Sequence, residues 1–148
     1  MNTKVLVLNG PNLNLTGTRK PEIYGNTTLA EINEQISAYA AKKGLTCDFF
    51  QSNHEGALID RLHEARGAYL GVILNAGAYT HYSYAIRDAI EAVELPVVEV
   101  HISNIFARDG FRAHSVLSEV CIGHISGFGA PASYLLAVDA LLIKVGNR

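Results

Sequence analysis

Charge is scarce in this sequence. Charged residues fill only 18% of 148 positions, below the roughly 25% usual for a free globular chain, so part of the surface is expected to be covered by other copies. The formal net charge is −2, which does not match the basic footprint of a nucleic-acid binder. No window holds the ~18 apolar residues needed to cross a bilayer. The opening MNTKVLVLNGP has one lysine, a short apolar run and no A-x-A site, and reads as a buried first strand rather than a secretion signal. The two cysteines, Cys47 and Cys121, each fall in a run that reads as a strand. Far apart in sequence, they read as reduced core residues and favour a cytoplasmic location. Several signatures are missing as well. Without GxxxxGK[ST], CxxC, HExxH or GxSxG, the usual support for P-loop chemistry, zinc or a nucleophile elbow is gone. There is no repeat, linker or low-complexity tract.

What remains is an alternation of short apolar runs and longer amphipathic ones. Hydrophobic residues make up 49% of the chain, enough to fill the core of one domain spanning 1–148. Lys4–Asn9, Leu45–Gln51, Tyr69–Asn75, Pro96–His101 and Val120–Ile125 read as strands. Thr28–Lys43, Glu55–Arg66, His81–Val93 and Ala130–Val145 read as helices, and Phe111–Leu117 as a short one. Thr28 and Glu31 form a capping-box pattern, and Gly44 ends that helix. Thr80 is the expected cap of the helix opened by His81. Apolar strands separated by helices predict an α/β fold, a parallel sheet covered on both faces. Five such units suggest, by analogy alone, the flavodoxin-like order 2-1-3-4-5.

One connection is out of scale. Gly10–Thr27 is long, polar and rich in Gly, Asn and Pro, where such folds normally use 2–6 residues. Because it follows the first strand, it emerges at the carboxyl edge of the sheet, where ligands bind. Polar side chains gather at the same edge: Asn9 and Asn12, then Asn75 and His81, then Glu99, His101, Ser103 and Asn104, with Arg108 and Arg112 just beyond. This convergence is the strongest physical signal in the chain.

Glu99 and His101 share one strand face. That spacing fits a carboxylate tuning an imidazole for acid–base work, and equally a hydrogen-bonded pair closing a strand end. Arg108 and Arg112, if helical, share a face and fit an anion or plain solvation. The Ile102–Ser103 backbone lies where free N–H groups bind carboxylates, or where an ordinary turn sits. The asparagines of NGPNLN suit turn chemistry as well as binding. Asn75, an amide at a buried strand end, needs a partner or a ligand. Tyr24 and Arg19 are unremarkable by composition alone. Tyr82 and Tyr84 look like packing or interface residues, and Gly127-Phe128-Gly129 like a turn.

The runs NGPNLNLTGTRKPEIYG, NAGAYTHYSYAIRDAI and EVHISNIFARDGFR are similar, in that order, to the signature motifs of the type II 3-dehydroquinases, and GHISGFGAPASYLLAVDAL resembles their tail more loosely. The resemblance implies a flavodoxin-like hydro-lyase. It would dehydrate 3-dehydroquinate by anti elimination through an enolate, in the shikimate pathway or in quinate catabolism, with no cofactor and no metal. Matched residue by residue, Tyr24 is the base, His101 the acid and Glu99 the residue that orients it. Arg19, with Arg108 near, stabilises the tyrosinate, and Asn12 steadies the enolate through a water. Asn75, His81, Arg112 and the Ile102 and Ser103 backbone hold substrate. Asp88 matches an acid supplied by a neighbouring subunit, and the usual assembly is a homododecamer of four trimers. The loop at about 16–26 becomes an active-site lid. Lys20, Thr16, Gly110 and Ser133 depart from the pattern, none at a catalytic position.

By ordinary side-chain acidities an imidazole is the better base, and the resemblance overrules that choice. The physics tolerates it. A guanidinium about 4 Å from a phenol contributes about 4 kcal/mol at an effective dielectric near 20. That brings a tyrosine down from about pH 10 by up to ~3 pH units, less the cost of desolvation. Two other readings stay open: a flavodoxin-like module that binds flavin or nucleotide, and a lysine Schiff-base dehydratase, for which no lysine sits in an apolar strand.

Overall fold

Residues 2–18, 22 and 25–145 are described by the computed structural model. The apolar runs form β1 (Lys4–Asn9), β2 (Thr46–Gln51), β3 (Gly71–Asn75), β4 (Val97–His101) and β5 (Gly123–Ser126). All pair in parallel, as the alternation predicted, and in the order β2-β1-β3-β4-β5 expected by analogy with flavodoxin-like folds. The helices are α1 (Leu29–Ala41), α2 (Glu55–Ala65), α3 (Tyr84–Val93) and α4 (Ala132–Val145).

The two-residue period of a strand sorts the core into two layers. Leu6 and Leu8 of β1 pack with Leu58 and Leu62 of α2 and Ile86 and Ile90 of α3. Val5 and Val7 face the other way, onto Ile32 and Ile36 of α1 and Val138 and Leu141 of α4. The central strands β1, β3 and β4 are buried on both faces; β1 and β3 are apolar up to their terminal asparagines, and β4 alone sets two polar side chains, Glu99 and His101, on one face. Thr28 caps α1 as expected, accepting from the Glu31 N–H at 3.2 Å.

Three expectations need correction. The segment expected to be one helix from His81 is divided: Gly77–His81 is a 3-10 turn, and α3 starts after Ser83, whose hydroxyl accepts from the Ile86 N–H at 3.0 Å. Thr80 is therefore no cap; it is buried inside the turn. Phe111–Leu117 is not a helix. The chain from Asn104 to Val120 crosses the sheet edge in 3-10 turns at Ile105–Ala107, Gly110–Ala113 and Ser118–Val120. Gly110 sits at φ 61°, which breaks any continuous helix. The last strand begins at Gly123, so Cys121 closes the preceding turn instead of lying in a strand. In each case an apolar run continues through a turn that tertiary contacts impose, and periodicity cannot see that boundary. Tyr82 and Tyr84, expected in packing or at an interface, are both exposed, with the Tyr82 ring edge-on to Tyr79 at 5.7 Å.

Candidate active site

Parallel strands place all their carboxyl ends at one edge, and β1 and β3 finish in register there, Asn9 opposite Asn75. The chain then leaves β1 through Gly10, whose N–H donates to the Asn75 carbonyl at 2.7 Å. A side chain at this glycine would meet the Ala76 carbonyl oxygen at 2.4 Å. Only glycine permits the two strand exits to lie so close. Asn12 follows in the left-handed region at φ 68°, a conformation asparagine tolerates, with its N–H held by the Asn53 side chain.

Between these exits lies a cavity of about 820 Å³. Asn12, Asn75, His81, His101, Ile102, Ser103, Arg108 and Arg112 all line it, so eight sequence candidates from three strand exits meet in one space. Neither the Ile102 nor the Ser103 N–H donates to a protein acceptor among the described residues, which leaves both as donors for an anion. Arg108 is steadied by the Ser103 hydroxyl at 2.6 Å, and Arg112 lies over the Phe111 ring at 5.0 Å. The two arginines are on successive turns rather than on one helix. His81 donates from Nδ1 to the His114 carbonyl at 2.7 Å, which leaves Nε2 as acceptor when the ring is neutral.

Glu99 stands behind His101, without solvent exposure. Its Oε2 is 2.5 Å from His101 Nε2, while Oε1 accepts from the hydroxyls of Ser115 (3.0 Å) and Ser118 (2.6 Å). Burial by itself would push this carboxyl up. Hydrogen bonds from His101 and Ser118, with the His124 Nδ1 3.5 Å from Oε1, outweigh it and hold the group well below the usual carboxylate range. An ionised Glu99 fixes the His101 hydrogen on Nε2, so Nδ1 is the nitrogen that can exchange a proton with a ligand. Asn75 is set with equal rigour. The buried Tyr134 hydroxyl gives its hydrogen to Asn9 Oδ1 (2.5 Å) and must accept from Asn75 Nδ2 (3.1 Å), while Asn75 Oδ1 takes the Gly77 N–H. The cavity is thus offered the remaining N–H of Asn75.

Asp88 does not line the cavity; it is exposed on α3. Arg19, Tyr24 and Lys20 lie outside the described residues. No lysine lines the cavity among the described residues, which leaves the Schiff-base reading without support. Ser115, Ser118, His124 and Tyr134 escaped the sequence reading, since serines in a loop and a tyrosine in a helix carry no motif. Glu99, His101 and His124 have ligand-type atoms within 4.8 Å of one another. However, the 2.5 Å contact between Glu99 and His101 is a hydrogen-bond length, shorter than the ~3.4 Å between two ligands of a tetrahedral ion at about 2.1 Å each.

This cavity opens at the carboxyl edge of a flavodoxin-like sheet, with a buried carboxylate–imidazole pair on its wall that is chemically equipped for acid–base work. Residues 3–142 match the family described as "Dehydroquinase class II", and the chain belongs to that family. It is 59% identical over 139 residues to a 3-dehydroquinate dehydratase of Ruegeria pomeroyi, covering 94% of this chain and 93% of that protein. It is 56% identical over 144 residues to the 3-dehydroquinate dehydratase of Bacillus cytotoxicus, covering 97% and 98%. Among solved structures it resembles the type II dehydroquinase of Butyrivibrio crossotus, with a TM-score of 0.89 and 46% identity over 95% of this chain and 97% of that one. The enzyme from Propionibacterium acnes gives 0.90 and 40% identity over 97% and 99%.

Proposed function

We infer that this chain catalyses the dehydration of 3-dehydroquinate to 3-dehydroshikimate. The observation that carries the reading is the single cavity where Asn75, His81, Arg112 and the free Ile102 and Ser103 amides surround a His101 oriented by buried Glu99. Arg112 and the two amides suit the substrate carboxylate, and the His81 acceptor and Asn75 donor suit its hydroxyls. His101 Nδ1 delivers the proton to the departing hydroxyl. Tyr24 removes the proton beside the ketone, its phenolate favoured by Arg19 and Arg108. Asn12, through an ordered water, steadies the enolate as charge develops there. The segment at about 16–26 acts as the lid over bound substrate.

The assembly reading is a homododecamer of four trimers, in which Asp88 completes a neighbour's cavity. Its support is twofold: Asp88 is exposed and away from its own chain's cavity, and Phe106, Phe128, Leu136 and Ile143 are exposed around one groove, the kind of clustered apolar surface that marks a contact between proteins. The thiols of Cys47 and Cys121 are unpaired and pushed up by burial, to about 11 and about 12, as suits a reducing cytoplasm. No helix among the described residues is long and apolar enough to cross a membrane.

The product is a conjugated enone, so ultraviolet absorbance is expected to rise when purified protein meets 3-dehydroquinate, with or without a chelator. No rise with authentic substrate overturns the reading. Tyr24→Phe is expected to abolish nearly all turnover with the fold intact; an unimpaired variant removes Tyr24 as the base.

A further inference from the structure

Glu99 is anchored from the side opposite His101, and the anchor ends in a second imidazole. β4 and β5 pair with Glu99 opposite His124 and His101 opposite Ser126, which puts four polar side chains on one sheet face. The Ser118 hydroxyl lies 2.6 Å from Glu99 Oε1 and 2.8 Å from His124 Nδ1. His124 Nε2 lies 2.5 Å from the Ser126 hydroxyl. The His124 ring is flanked by His101, at 5.2 Å between centroids, and by Phe106, at 5.1 Å.

The hydrogens in this chain can be placed by counting. A serine hydroxyl has one hydrogen, and an ionised carboxylate has none. The contact between Ser118 and Glu99 therefore uses the Ser118 hydrogen. The contact between Ser118 and His124 must then be filled by hydrogen on His124 Nδ1. Ser126 completes the chain by donating to Nε2 when the ring is neutral. With the hydrogen on Nε2 instead, Ser118 would turn toward His124, and Glu99 would lose one of the two hydroxyl donors that fix Oε1.

We propose that His124 is a positioning residue for the catalytic acid: its Nδ1–H holds the Ser118 hydroxyl on Glu99, and so keeps the carboxylate, and through it the His101 ring, in one orientation. The role rests on the dehydratase reading, but the proton placement does not. His124 touches no substrate. Its contribution is to the chemical step, in which His101 Nδ1 must point at the departing hydroxyl, and not to substrate binding.

Three measurements on the full-length protein test this. Nitrogen-15 NMR of histidine-labelled protein is expected to show hydrogen on His124 Nδ1, the less common form of a neutral histidine; hydrogen on Nε2 with Nδ1 bare overturns the proposal whatever the activity. His124→Phe keeps a ring in the stack and removes the donor. It is expected to lower kcat about tenfold, the equivalent of one hydrogen bond, with KM within about twofold. His124→Asn, which returns an N–H near the Nδ1 position, is expected to recover most of that loss. Finally, Ser118→Ala is expected to lower kcat similarly, and the double variant no further, because both break one chain. Full kcat in His124→Phe, losses in KM rather than kcat, or additive losses in the double variant would each reject the role. If the unsubstituted protein forms no enone, the dehydratase reading fails, and the NMR result alone still decides the proton placement.

Discussion

Glu99 concentrates the chemistry of single residues. It is charged and fully buried, so losing any of its donors leaves an expensive group uncompensated. In the folded chain its carboxyl ionises well below the usual carboxylate range. Such a group contributes its full stabilisation above the unfolded carboxylate value, about pH 4.3, and loses it as pH falls toward the folded value. The urea midpoint of the protein is therefore expected to be steady from about pH 7 to about pH 5 and to fall below that range. Glu99→Gln is expected to remove part of this acid slope and to lower kcat at least about tenfold, since an amide supports a charged His101 poorly. Urea titrations across pH, paired with initial rates, check both. A Glu99→Gln protein with an unchanged slope would mean that other carboxylates carry the acid sensitivity.

Among the elements, α3 and the β1 exit decide whether the site is assembled. Ser83 caps α3 and also donates to Glu55 Oε2 at 2.5 Å, tying α3 to α2. Ser83→Ala is expected to cost about 1–2 kcal/mol, read as a lower urea midpoint with an unchanged slope. A midpoint within error of the parent would mean the cap is redundant. Gly10 acts through proximity. A methyl group there would press on the Ala76 carbonyl at 2.4 Å and part the β1 and β3 exits. Gly10→Ala is expected to raise KM by about tenfold or more, because a displacement of about 1 Å at a site is costly; rates measured over a range of substrate concentrations report it, and an unchanged KM would show that the exits can part freely.

For the whole molecule, the question is whether one chain contains a complete site. If Asp88 serves a neighbour, two inactive chains should repair each other. Asp88→Ala and His101→Ala, each nearly inactive alone, are expected to regain a measurable fraction of activity when co-expressed, since some mixed cavities then contain both native residues. No recovery in particles shown by mass to be mixed would place Asp88 outside catalysis. Sedimentation of the parent protein is expected to show a particle of about twelve chains, as closed point-group assemblies allow.

The sequence by itself determined the alternation of strand and helix and so a parallel sheet, because strands buried on both faces are mostly apolar and helices between parallel strands cross over them; the strand order came by analogy with flavodoxin-like folds. The sequence also placed Asn12, Asn75, His81 and His101 at one rim, since parallel strands end together, and its motifs named the reaction. Tertiary structure decided the rest. The limits of α3, the 3-10 turns between Asn104 and Val120 and the late start of β5 depend on contacts across the sheet, which leave no period in the sequence. The hydrogen assignments on Asn75, His101 and His124 depend on contacts that only folding makes: Tyr134, 59 residues from Asn75, and Ser118, 19 residues from Glu99. A side chain's chemistry is written in its residue type. Which of its atoms faces the substrate is fixed by what packs behind it.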